Sequence, residues 1–452
     1  MPLRSLVTKL QETALTGELD ERSSRPERLL MRGAGRCSRA LVASALSQRR
    51  GAPLLVVVPT LEEAGRWTAL LELMGWSQAS LYPTSEGSPY EPFDPTSEIT
   101  WGQLQVLSDL LGEPNAASWA IVATERCLQP HLPHPDVLKT KTRTLRKGDE
   151  VDLEALGETL AQLGYERVTT IEQEGSWSRR GDIVDIFPVS SELPVRLEFF
   201  GEELDKLREF DPASQRSLDP VDALRLTPTG FGPLIADQLR ETMPDGLEQL
   251  LGSEGTEQLL NGGTPEGMRR LMGLAWGQPA SLLDYLPDTT TVVIDERRQG
   301  LAHGQQWLSH VEEHHHDMAA EAGLDEGDRD RLWPAVLHRE IEAAYALTEV
   351  FHGFDMAELL EVDQHPNSFD LASRPVAAYP NQFGKLGELI KGFQTERTAV
   401  WLVSAQPSRA VALLEEHDCI SRFVPNAGDS NAISRLIEQN TPVALKLSLI
   451  HI

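Results

Sequence analysis

Five consecutive apolar residues, Leu54–Val58, stand between Gly51-Ala52-Pro53 and Pro59-Thr60. The run is too short for a helix, has no polar face and is rich in β-branched side chains, so it predicts a strand buried on both sides. Strands of that kind belong to parallel sheets covered by helices on each face. The flanks agree. Ser38–Arg50 has helical character, and Thr60 with Glu63 three residues on forms a capping box that opens a helix to Met74. A second apolar run, Trp119–Thr124, follows a helical stretch near Trp101–Leu111. Strand and helix in alternation predict an α/β unit with a mostly parallel sheet. The loop from Tyr82-Pro83 to Pro95 carries four prolines in thirteen residues, which excludes regular structure there.

From Leu138 the character changes. Lys139–Arg143 is basic and alternating, and reads as a strand. Leu153, Leu156, Leu160 and Leu163 then line one helical face. Arg167–Ile171, Ile183–Phe187, Val195–Phe200 and Lys206–Phe210 follow as strands separated by turn signals, which predicts a small α+β unit ending near Asp211-Pro212. Helix and loop return after that, with a strand at Thr291–Ile294. Residues 312–330 are strongly acidic and read as a solvated helix face or linker. A last α/β unit begins after His365-Pro366-Asn367, with a strand at Val400–Ser404. Its pattern still runs at Ser448–Ile452, where no cap or polar tail follows, and the chain reads as a fragment of something longer.

Charge narrows the function. The 69 acidic and 41 basic side chains leave a net charge of −28, which argues against a generic polyanion binder. Cys37, Cys127 and Cys419 are far apart and odd in number, so neither a disulfide framework nor a cysteine zinc site is expected, and the reading is cytoplasmic. The turn Met31–Ser38 sits where a phosphate-binding loop would. That loop needs G-x-x-x-x-G-K-[ST], but Leu30 stands five before Gly35, and Arg36 and Cys37 replace the lysine and the hydroxyl. Cysteine is a poor magnesium ligand. Val292–Glu296 has the form of the acidic strand that accompanies such a loop, and without the loop it reads as structural. His310 and His314 have metal-ligand spacing, yet among Glu312, Glu313 and Asp317 a solvated face fits better. No catalytic or metal-binding residue is expected.

The informative stretch is Arg179–Pro188 followed by Leu193–Phe200. In the second strand Val195, Leu197 and Phe199 share one face, and Arg196, Glu198 and Phe200 the other. Phe200 breaks the polar face. Either the following hairpin covers it, or it is a binding hot spot with Arg196 beside it and Arg180 adding charge. The second reading predicts a docking site for an acidic protein partner.

R-G-D-I-V-D-I-F-P, L-P-V-R-L-E-F-F, Glu203 to Arg208, and Phe210-Asp211 with Gln215-Arg216-Ser217 resemble the excision-repair subunit UvrB. They resemble still more its relatives, the bacterial transcription-repair coupling factors (Mfd). Tyr82-Pro83, Pro89-Tyr90-Glu91, Gly164-Tyr165, Leu283–Pro287 and Val293–Glu296 fit in the same order. The resemblance is strong over about 1–300 and weaker to about 445. UvrB carries a working phosphate loop and the coupling factors a degenerate one, so the Gly33–Ser38 loop favours the latter.

The resemblance implies a degenerate UvrB/helicase-like parallel-sheet domain with an inserted α+β domain, followed by a partial α/β domain. The corresponding spans are 1–128 and 212–366 for the divided UvrB-like domain, 129–211 for the insert, and 367–452 for the following unit. It implies a non-catalytic module that binds UvrA through Arg180, Arg196 and Phe200 and so brings excision repair to stalled RNA polymerase. It places contacts with polymerase and DNA, as well as ATP and magnesium, in further domains absent from these residues. The alternative is an ATP-binding, damage-verifying UvrB-type helicase relative.

Overall fold

A computed structural model describes residues 3–112, 119–243, 246–321, 326–359, 365–374, 376–377, 379–380 and 382–446. The anticipated apolar run at Ser448–Ile452 lies outside the described residues. Seven parallel strands form the main sheet: β1 (Leu29–Arg32), β2 (Leu54–Val58), β3 (Gln78–Leu81), β4 (Trp119–Thr124), β13 (Thr291–Asp295), β14 (Gly353–Met356) and β15 (Ser368–Asp370). Their order is β15-β1-β14-β13-β2-β4-β3. The β-branched run lies where its composition demands, with β2 between β13 and β4 and every residue buried.

Alternation along these strands splits the interior in two. Leu55, Val57, Ile121, Val292 and Ile294 face one core, packed by helices that include Ser97–Leu111 and Gly232–Thr242. Leu54, Val56, Val58, Val122 and Val293 face the other, against Arg36–Arg49 and Leu61–Leu73. Thr60 caps the latter helix, its hydroxyl accepting from the Glu63 N–H, but the expected box is only half formed, because the Glu63 carboxylate pairs with Arg36 and Arg66. Helices on both faces are what a parallel sheet requires.

The chain leaves this body after β4 and returns before β13. In between, β6 (Glu166–Arg167), β7 (Ser176–Arg180), β8 (Ile183–Phe187), β9 (Val195–Phe200), β10 (Glu203–Phe210) and β11 (Ser217–Pro220) form a second sheet in sequence order. It is antiparallel except at β6. A two-stranded ribbon joins β5 (Arg143–Arg146) to β12 (Ala223–Leu226). The structured insert therefore runs past Asp211 to Leu226, because β12 pairs with β5 from the insert's own beginning. Lys139 and Thr140 end a short helix, Pro135–Thr140, and the strand starts only at Arg143. Beyond Asn367, β16 (Trp401–Ser404), β17 (Arg422–Val424) and β18 (Val443–Lys446) make a parallel sheet ordered β16-β18-β17. Among the described residues no helix is long and apolar enough to cross a membrane.

The long helix Arg297–Glu321 is less solvated than its acidic end suggests. His315 is buried, and its Nε2 donates to the carbonyl of Trp333 at 2.8 Å. Among the described residues no cluster of three His, Cys, Asp or Glu could hold a metal ion.

Candidate functional site

The insert offers a sheet face with a built edge. On β9, Val195, Leu197 and Phe199 point into the insert's core, while Phe200 is 84% exposed. A free ring of this size is costly in water, at roughly 25 cal/mol per Å² of apolar surface. The following strand does not cover it: β10 pairs Glu203 with Phe200, and a β-bulge between Leu204 and Lys206 shifts the register there. Ile183, on β8 across from Glu198, adds a second exposed apolar side chain at 39%.

Arg196 is held differently. It stands opposite Asp185, and its Nε and Nη2 donate to the two carboxylate oxygens at 2.7 and 2.9 Å. Its guanidinium also lies over the Phe210 ring, 4.8 Å from the centroid. The bond to Asp185, followed by the charge attraction, raises its already high pKa. Arg180, at the end of β7, approaches the same carboxylate at 3.8 Å with most of its side chain in solvent. Asp185 is itself buried, so two arginines frame one carboxylate inside the sheet surface. A bidentate pair fixes direction as well as charge. Arg196 thus spends Nε and Nη2 within its own sheet and is mostly covered, whereas Arg180 leaves more than half of its side chain in solvent.

The three residues singled out in the sequence therefore share one surface, and Phe200 answers the open question there: it is uncovered. Sequence reasoning missed Asp185 as the anchor of this face. A charged residue between Val184 and Ile186 is the available signal, but the loop from Pro188 to Pro194 hides the register that brings Arg196 opposite it.

The phosphate-loop position has a different geometry. Gly33 follows β1 with φ +75°, and the segment after β15 crosses directly over it. Leu371 N–H donates to Arg32 O at 2.8 Å, Ser373 N–H to Gly33 O at 2.9 Å, and the Ser38 and Ser373 hydroxyls lie 2.9 Å apart. The Asp370 carboxylate rests against Gly33 so closely that a Cβ there would collide with it. Arg36, in the lysine's place, is bidentate to Glu63 at 2.6 and 2.7 Å. Arg39 is buried between Asp295, at 3.1 Å, and Glu296. Burial, outweighing the attraction of Arg39, pushes the Asp295 carboxyl up to about 7. Trp67 Nε1–H donates to its other oxygen at 2.9 Å. Arg36 and Arg39 are thus paired with the chain's own carboxylates, and the Asp370 carboxylate stands against Gly33.

Residues 144–230, which carry the framed face, match the model of the UvrB interaction domain. Residues 375–451 match the model of the cyanobacterial Mfd Rossmann-like domain. The chain is similar to the transcription-repair coupling factors over part of its length. It is 28% identical over 286 residues to the transcription-repair-coupling factor of Bacillus subtilis, covering 59% of this chain and 24% of that one. To that of Escherichia coli it is 29% identical over 272 residues, 59% and 23% of the two chains. For the Mycobacterium tuberculosis protein the values are 30% over 313 residues, 63% and 25%. The matched part is thus about a quarter of each coupling factor's length. UvrB-like α/β architecture, with its parallel sheet and interaction domain, is the fold of this chain.

Proposed function

We propose that this chain is a non-catalytic recruitment module of a transcription-repair coupling factor, and that the face of Arg180, Arg196 and Phe200 binds UvrA. One observation carries the reading: Phe200 stands 84% exposed at the end of β9, on the same face as Arg196, which a bidentate ion pair anchors four residues back along the strand. An exposed aromatic on a face that also carries arginine is the favoured chemistry of an interface hot spot. The preorganised pair keeps the ordering cost of docking low. Phe200 would enter an apolar pocket of UvrA, with Arg180 and the spare edge of Arg196 meeting acidic groups around it. By this reading polymerase and DNA contacts, and any ATP-driven step, belong to other parts of a coupling factor. The closed cleft at Gly33 supports the same division of labour.

Titration of UvrA against the purified chain tests this. Phe200→Ala is expected to weaken binding by roughly 2–4 kcal/mol, the usual range for a hot spot. The ring touches little of its own chain, so the fold should persist. Arg180→Ala is expected to weaken binding less, since its charge is screened by solvent. Unchanged affinity in Phe200→Ala would reject the assignment.

A further inference from the structure

The C-terminal edge of the main sheet has a second mouth, away from the closed cleft. Ligands of open parallel sheets enter at this edge. Here the proline-rich loop after β3, the segment after β4 and the long helix after β13 enclose a small cleft, open at one side. Trp307, Met272 and Leu337 supply apolar walls, and Phe93, 71% exposed, stands at its lip.

The loop bearing Phe93 is rigidly seated. Tyr90 is buried, its hydroxyl 2.9 Å from His338 Nδ1. Asp94 accepts from the Arg269 N–H at 3.0 Å. Pro92 O packs against Gly267, whose φ of +67° and missing Cβ permit the approach. The ring is therefore presented rather than loosely exposed.

Arg269 lines the same cleft and is mostly buried. Its Nη2 donates to Gln103 Oε1 at 2.7 Å and to the carbonyl of His131 at 3.4 Å, while Nη1 has no acceptor. No carboxylate lies within ion-pair distance among the described residues; Asp94, which accepts the residue's backbone N–H, is the acid nearby. The Phe231 ring, 4.9 Å away, is the guanidinium's other support. Asp94 is thus a counter-charge that attracts Arg269 without pairing with its guanidinium. His131 donates through Nδ1 to Gln129 O at 2.6 Å and accepts at Nε2 from the Tyr82 hydroxyl at 2.6 Å. That arrangement needs a neutral imidazole, and burial followed by the Arg269 charge lowers its pKa to about 3. The other charges lining the cleft are already engaged: Arg126 pairs with Glu86 at 3.2 Å, and Glu91 accepts from the Ser88 N–H at 3.2 Å.

A buried guanidinium with no carboxylate paired to it is expensive, and an anion with an apolar body relieves both the charge and the exposed ring. A phosphate fits less well, because one guanidinium without lysine or a nest of N–H groups matches a single negative charge. We propose that this cleft binds a small organic carboxylate, its acid group toward Arg269 and its apolar part between Trp307 and Phe93. The proposal is independent of the docking face on the insert.

Benzoate is the probe, with calorimetry and thermal melting of the whole chain at constant ionic strength. Benzamide and inorganic phosphate are the controls. Benzoate is expected to give a saturable heat and a saturable rise in melting temperature, as a ligand selective for the folded state must. Benzamide and phosphate should give neither. Arg269→Gln is expected to weaken benzoate about tenfold or more, and Phe93→Ala roughly threefold. A peptide ending in phenylalanine, as free acid and as amide, distinguishes the sources. Displacement of benzoate by the free acid alone assigns the site to chain ends, and no displacement assigns it to small acids. Absence of benzoate binding, equal binding of benzamide, or preference for phosphate would each overturn the proposal. So would unchanged affinity in a folded Arg269→Gln; if that variant fails to fold, unchanged affinity in Phe93→Ala does so instead.

Discussion

Phe199 and Phe200 are adjacent, chemically identical and oppositely placed, one buried at 7% exposure and the other free at 84%. The pleat separates them, because successive side chains on a strand leave opposite faces. That much is legible in the sequence. What is not legible is whether the far face is covered, since it depends on the bulge in β10 and on where β11 stops. Glu125 shows the reverse case, a residue the sequence gives no reason to notice. It follows β4, is 1% exposed, and neither carboxylate oxygen has a hydrogen-bond partner. Burial pushes its pKa up from 4.5 to about 7, against the smaller pull of Arg126. The raised value means the folded state favours the protonated acid. Its contribution is complete below about pH 4.5 and is lost as pH rises toward 7. Glu125→Gln removes that loss. The variant should match the parent near pH 4 and exceed it by up to about 3 kcal/mol at pH 8, since each tenfold gain in proton affinity on folding is worth about 1.4 kcal/mol. Urea unfolding at the two pH values checks it; a gap that does not widen with pH would show that Glu125 finds a partner when ionised.

At the scale of elements, the β-branched runs and the Thr60 cap are local signals, and β2, β4 and the helix after Thr60 appear where those signals put them. The closing of the Gly33 cleft is not local. β15 pairs with β1 across more than three hundred residues, and nothing in Ser368–Asp370 announces its partner. The loop's departures at Arg36 and Cys37 are legible in the sequence, while the carboxylate standing over Gly33 exists only in three dimensions. Two outcomes follow from that carboxylate. Titration of ATP into the chain should give no saturable signal in the millimolar range, and a clear micromolar affinity would revive the helicase-like reading. Gly33→Ala should destabilise the chain by at least about 1–2 kcal/mol, the cost of a left-handed non-glycine residue, before the collision with Asp370 is added. Thermal melting measures the loss, and Asp370→Ala in the same background should restore only the steric part.

At the scale of the whole molecule, the cores stay largely separate, with Val189 of the insert packing into one of the main body's. The main sheet has one on each face, while Leu156, Leu160, Trp177, Leu197 and Phe199 belong to a core of the insert's own. The links between insert and main body include polar ones: Lys141 meets Asp237 at 2.7 Å, and Trp101 Nε1–H donates to Thr229 O at 3.1 Å. An exposed ion pair such as Lys141–Asp237 contributes little, typically up to about 1 kcal/mol. A domain on the order of ninety residues with its own core is large enough to fold alone. Both strands of the ribbon, β5 and β12, must be included, because each supplies the other's hydrogen bonds and Leu145 and Leu224 close the core's lower edge. A fragment spanning 141–230 should therefore melt cooperatively, whereas one cut at 211 should not. If the docking face is self-contained, the longer fragment should also bind UvrA within about threefold of the whole chain. A cooperative melt with lost binding would mean that the main body contributes directly to the interface; a fragment without a cooperative melt would mean that the insert depends on the main sheet for its stability.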